Sequence, residues 1–111
     1  MPDNKRTAES KRAVPPRDST KSDSFRKDWD KLSRSGKQDM YRLKEVMMLL
    51  IANDTPLPPE WKDHQLKGIG RNIRECHAKG DLLLVYRIEG NDERSVITFL
   101  RAGTHSEIFG K

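Results

Sequence analysis

The sequence predicts an α+β domain: two N-terminal helices packed on a small antiparallel sheet, followed by a short C-terminal helical turn. Apolar residues recur at helical spacing between about residues 22 and 52. Beyond residue 60 the pattern changes to short runs of branched and aromatic residues. Between the two lies "NDTPLPPE", whose prolines cannot continue a helix. A chain of 111 residues holds one domain of ordinary size, and no internal repeat is visible.

Residues 1–21 contain almost no large apolar side chain and two adjacent prolines. They bury too little surface to offset the entropy of ordering, so a disordered basic arm is expected, with a short edge strand as the alternative for its last few residues. The folded domain is expected over residues 22–111. Ser22 or Ser24 is placed to cap a first helix; Phe25, Trp29 and Leu32 share one face, and Gly36 ends it. A second helix is expected from about Gln38 to Ala52, with Met40, Leu43, Met47 and Leu50 as its buried stripe. Its methionines read as core packing rather than as a partner groove. "NIRECHA", "LLLVYRI" and "SVITFLRA" then read as strands, with turns at "AKGD" and "EGNDE". The middle run is apolar on both faces, as a central strand requires.

The net charge of +5 favours nucleic acid, an anionic membrane surface or an acidic protein as partner, without choosing among them. The single cysteine, Cys76, excludes an internal disulfide framework and fits a reducing compartment. No run approaches the roughly 20 apolar residues of a membrane helix, and no signal-peptide core is visible. A soluble cytoplasmic protein with no membrane association is expected.

Hairpin geometry gathers the polar residues. A turn centred on Asn91 sets Asp81 opposite Arg101, give or take one residue, and "AKGD" puts His77 beside Asp81. His105 follows Arg101 closely, and His64 in "WKDHQLKG" reaches the same end if that loop leads into the first strand. Cleavage of a phosphodiester needs this mixture: a base for the attacking oxygen, an acid for the leaving oxygen, and a fixed cation for the phosphate. Histidine serves either proton-transfer role near neutral pH. The plainer readings are surface histidines, a cross-strand ion pair between Asp81 and Arg101, and Phe109 as core. A metal site is disfavoured, because the three histidines match no compact ligand motif and an arginine among them repels a cation. There is no P-loop, no dinucleotide fingerprint and no nucleophile elbow. Cys76 and His77 point to opposite faces of a strand, which argues against a Cys–His pair.

"LPPEWKDHQLKG", "RECHAKGDLLLVYRI" and "FLRAGTHSEIFG", in this order and spacing, resemble the YafQ branch of the RelE superfamily, bacterial toxins of type II toxin–antitoxin systems. The resemblance runs from about residue 24 to the end. It implies a microbial-ribonuclease-like fold and an endoribonuclease that cuts mRNA in the ribosomal A site without metal or other cofactor. The 2′-hydroxyl would attack the adjacent phosphate, leaving a cyclic phosphate and a 5′-hydroxyl end. The matching motif positions are His64, His77, Asp81, Arg101 and His105 as catalytic residues and Phe109 as substrate-binding; Lys62 and Lys67 are further candidates for binding substrate. Within that set His105 is expected to be the main proton-transfer residue, complemented by His64 or Asp81. Arg101 would stabilise the phosphorane, His77 position the substrate and Phe109 stack on a base. The implied partners are a cognate antitoxin, mRNA on the ribosome, and operator DNA through the antitoxin complex. Some relatives have tryptophan where this chain has Leu82, and the N-terminal arm exceeds the family core. A non-catalytic RNA- or protein-binding module of the same fold is the alternative.

Overall fold

The computed structural model describes residues 14–110; the expected arm at residues 1–13 and Lys111 lie outside them. In chain order the elements are strand β1 (Asp18–Lys21), helices α1 (Asp23–Ser35) and α2 (Met40–Ile51), a 3₁₀ turn at Pro59–Trp61, strands β2 (His64–Gln65), β3 (Ile73–Lys79), β4 (Leu82–Gly90) and β5 (Ser95–Gly103), and helix α3 (His105–Phe109). The strands form one sheet in the order β1-β5-β4-β3-β2.

Asp18–Lys21 forms the short edge strand expected as the alternative for the end of residues 1–21. One feature departs from the expectation: β1 runs parallel to β5, which makes the sheet mixed rather than antiparallel. The edge strand is exposed throughout and held by backbone pairing, so it leaves no apolar alternation to read.

Ser22 caps α1 and stitches it to the sheet. Its hydroxyl oxygen accepts from the Phe25 N–H at 3.0 Å and donates to the Leu100 carbonyl at 2.8 Å. Gly36 ends the helix in the left-handed region at φ 68°, where a side chain would be strained. α2 starts at its cap, Asp39, and buries Leu43, Val46, Met47 and Leu50. These residues pack with Phe25 and Leu32 onto Cys76, Ala78, Leu84, Tyr86, Ile97, Phe99 and Ala102 of the sheet. Arg42 lies 3.9 Å over the ring of buried Trp61, fixing the segment that leads to His64.

The helices thus cover one sheet face. By strand alternation, Glu75, His77, Leu83 and Val85 lie on the other.

Candidate active site

The β4–β5 register decides which polar residues meet. The turn is closed from Asn91 N–H to the Arg94 carbonyl at 3.1 Å, and Gly90 pairs with Ser95. The turn therefore centres beyond Asn91, and Leu100 forms a bulge between the pairs Tyr86–Phe99 and Val85–Arg101. Arg101 consequently faces Val85, not Asp81 as expected from the sequence. Asp81 meets the start of α3 instead, its carboxylate 3.4 Å from the His105 N–H.

The guanidinium of Arg101 is taken by Asp28 of α1. Its Nε donates to Oδ2 at 2.7 Å and its Nη2 to Oδ1 at 3.1 Å. Beside this carboxylate the Arg101 pKa is raised, with burial opposing the rise.

His64 lies in β2 opposite Glu75, and Glu75 lies opposite Val85. The rows therefore run His64, Glu75, Val85, Arg101, and beside it His77, Leu83, Gly103. Glu75 is buried, only 5% exposed, with Oε2 3.5 Å from His64 Nε2 and 3.8 Å from His77 Nε2. The two rings stand 6.4 Å apart. His64 Nδ1 lies 2.9 Å from the Lys62 carbonyl and His77 Nδ1 3.1 Å from that of Gly80. A carbonyl only accepts, so these contacts require the proton on Nδ1 in both rings and turn Nε2 toward Glu75. His77 thus engages Glu75 and Gly80, the residue that precedes Asp81.

Asp63 anchors the His64 segment. It accepts three hydrogen bonds from Arg74, two from a shared Nε–H and the shortest at 2.8 Å from Nη2, and another from the Tyr86 hydroxyl. Burial and the Asp63 hydrogen bond push the Tyr86 pKa upward, so the phenol stays protonated as the donor. Lys62 and Lys67 flank this segment and are exposed. At the other end, Thr104 and Glu107 close a capping box on α3. The His105 ring packs 4.9 Å from that of half-buried Phe109.

The structure therefore places His64 and His77 together, and Asp81, His105 and Phe109 together. Arg101 stands in the His64 row, held from the α1 side. Glu75, Asp28 and Asp63 were not singled out from the sequence. Glu75 was legible, because it shares a strand face with His77 two residues on. Among the described residues, no group of three or more His, Cys, Asp and Glu is placed to hold a metal ion. A small hollow of about 40 Å³ lies at Arg101, lined by Asp28, Lys31 and Glu107, and a mainly apolar one of about 290 Å³ lies elsewhere, lined by Phe25, Trp29 and Met47.

Residues 17–110 match the family model for YafQ, the bacterial toxin of type II toxin–antitoxin systems. The chain belongs to the YafQ family. It is 39% identical over 80 residues to the mRNA interferase toxin YafQ of Escherichia coli K12, covering 72% of this chain and 83% of that YafQ protein. The crystal structure of the E. coli DinJ–YafQ toxin–antitoxin complex contains a chain that superposes with a TM-score of 0.73 at 39% identity, over 86% of this chain and 99% of its own. A metal-bound toxin from Helicobacter pylori superposes with a TM-score of 0.71 at 41% identity, over 83% and 98% of the two chains. As in the YafQ structures, the fold is a sheet with helices, so the expected α+β class holds.

Proposed function

We propose that this chain is the mRNA interferase toxin of a type II toxin–antitoxin pair, an endoribonuclease acting on ribosome-bound mRNA by metal-free acid–base chemistry. The observation that carries the reading is the YafQ-family match over residues 17–110; it is supported by His64 and His77 meeting at Glu75 and by Asp81 meeting the His105 N–H. In the reaction the 2′-hydroxyl oxygen bonds to phosphorus while a base takes its proton. The 5′-oxygen leaves with a proton from an acid, giving a 2′,3′-cyclic phosphate and a 5′-hydroxyl end. His105 on exposed α3 is the principal proton-transfer residue, and His64 or Asp81 its complement. His77 positions the substrate, Arg101 meets the charge on the phosphorane, Phe109 stacks on a base, and Lys62 and Lys67 attract the phosphate backbone.

The partner is an antitoxin, supported by the DinJ–YafQ complexes of relatives. Its acidic segment complements the +5 charge, and the complex binds its own operator DNA. No described helix is long and apolar enough to cross a membrane, and the proposed compartment is the cytoplasm, where ribosomes translate mRNA.

The test is cleavage of a defined mRNA on translating ribosomes by wild type and His105→Gln. The protein is treated with EDTA and dialysed before mixing, a control that matters because the H. pylori relative is a metal-bound toxin. Cuts confined to A-site codons, insensitive to chelation and reduced about 10²–10⁴-fold in the variant, are the expected result. Absence of cleavage by folded wild type points instead to a binding module.

A further inference from the structure

We infer that Asp28 is a positioning residue for cleavage, holding Arg101 so that the outer edge of its guanidinium faces the scissile phosphate. This rests on the proposed function, in which Arg101 meets the phosphate.

The grip is side-on: Nε donates to Oδ2 at 2.7 Å and Nη2 to Oδ1 at 3.1 Å. A guanidinium has five N–H donors, and this pairing uses two. The remaining three include the Nη1/Nη2 edge, the fork that matches two oxygens of a phosphate. Among the described residues, Nη1 of Arg101 has no hydrogen-bond partner.

Asp28 also fixes the strand from which the arginine projects. Pairing to β1 ends at Lys21 opposite Phe99, and Ser22 then takes the carbonyls of Phe99 and Leu100. Oδ2 of Asp28 extends this edge cover by accepting the Ala102 N–H at 3.0 Å. One carboxylate thus sets both the side chain of Arg101 and the backbone that leads, three residues later, to His105. It comes from the buried side of α1, three residues after Phe25 and four before Leu32, so the helix cannot rotate it away without unpacking the core. Its own side chain is only 15% exposed.

The alternative is an edge cap whose ion pair serves folding alone. Single-turnover cleavage of ribosome-bound mRNA separates the two, using wild type, Asp28→Asn, Arg101→Lys and the double variant, with His105→Gln as baseline. Asn keeps an oxygen for the Ala102 N–H but presents an NH₂ group against the arginine. The expected result is a maximal rate about 10- to 100-fold lower in Asp28→Asn, with half-saturating RNA moved less than about threefold. In the Arg101→Lys background the same change should cost less than about threefold, because the fork it orients is gone. Wild-type activity in Asp28→Asn, or an equal loss in both backgrounds, overturns the inference while leaving the nuclease reading intact. Wild-type activity in Arg101→Lys, with His105→Gln inactive, removes the phosphate role of Arg101 and this inference with it. No cleavage by wild type removes both. If Asp28→Asn does not fold, Asp28→Glu, which keeps the charge on a longer arm, reads the same way: a reduced rate with little change in half-saturation supports positioning, and an unchanged rate overturns it.

Discussion

The buried carboxylate of Glu75 lies 3.5 Å from Nε2 of His64, and its other oxygen has no hydrogen-bond partner among the described residues. A half-satisfied buried carboxylate costs stability, so its place between two histidines needs a reason other than packing. Fixing both Nε2 atoms for proton exchange supplies one. Glu75→Gln keeps the shape, removes the charge and offers an NH₂ group to a neutral Nε2. The expected outcome is a folding stability, read from the melting midpoint, equal to or above that of wild type by up to about 1 kcal/mol, with cleavage at least about tenfold slower. A clearly lowered midpoint would assign the carboxylate to folding.

Helix α3 contributes no buried residue, yet it carries His105 and Phe109. Its capping box joins Thr104 and Glu107 within the same short segment, so removing the helix breaks little of the remaining structure. Deletion of residues 105–111 should therefore leave the amide spectrum of β3–β5 intact and abolish cleavage. A truncated protein that still cuts mRNA would exclude His105 and Phe109 from the reaction.

Much of the fold was legible because its signals are local. Phe25, Trp29 and Leu32 mark one helix face, the Leu82–Ile88 run marks a central strand, and Gly36 marks a helix end. Register was harder to read. The longer turn and the bulge at Leu100 separate Asp81 from Arg101, and neither leaves a composition signal. Asp28 was readable in principle, since it sits on the Phe25–Leu32 stripe where an unpaired carboxylate would be costly. Its partner lies 73 residues away, and helical spacing does not reveal a contact at that range.

Asp39 caps α2, accepting from the Arg42 N–H at 3.1 Å, and lies 3.4 Å from Nζ of Lys79 at the end of β3. The Arg42 hydrogen bond, chiefly, lowers its pKa; burial opposes this and Lys79 adds to it. A carboxyl depressed in the folded state contributes stability above its unfolded pKa of about 3.9 and loses that contribution as pH falls through the folded value. The difference in melting midpoint between wild type and Asp39→Ala should be constant from about pH 7 to pH 5 and narrow below about pH 4. A gap independent of pH down to acid unfolding would show that the cap acts without its charge.

Cys76 is the chain's single cysteine and is fully buried, on the face opposite His77. Burial is the main cause that pushes its thiol pKa far up, and the charges of Asp63 and Glu75 add to the rise. The nucleophile is the thiolate, so the native protein should resist iodoacetamide at pH 8, and label uptake should follow opening of the core. Adding urea below the unfolding midpoint should accelerate alkylation in step with the loss of stability measured by circular dichroism. Cys76→Ala removes the thiol without introducing a polar atom, so it should leave cleavage unchanged apart from its effect on stability. Cys76→Ser places a hydroxyl in an apolar site and should cost about 1–3 kcal/mol. Rapid alkylation of the folded protein would instead mean that β3 opens locally, and the Glu75–His77 face would open with it.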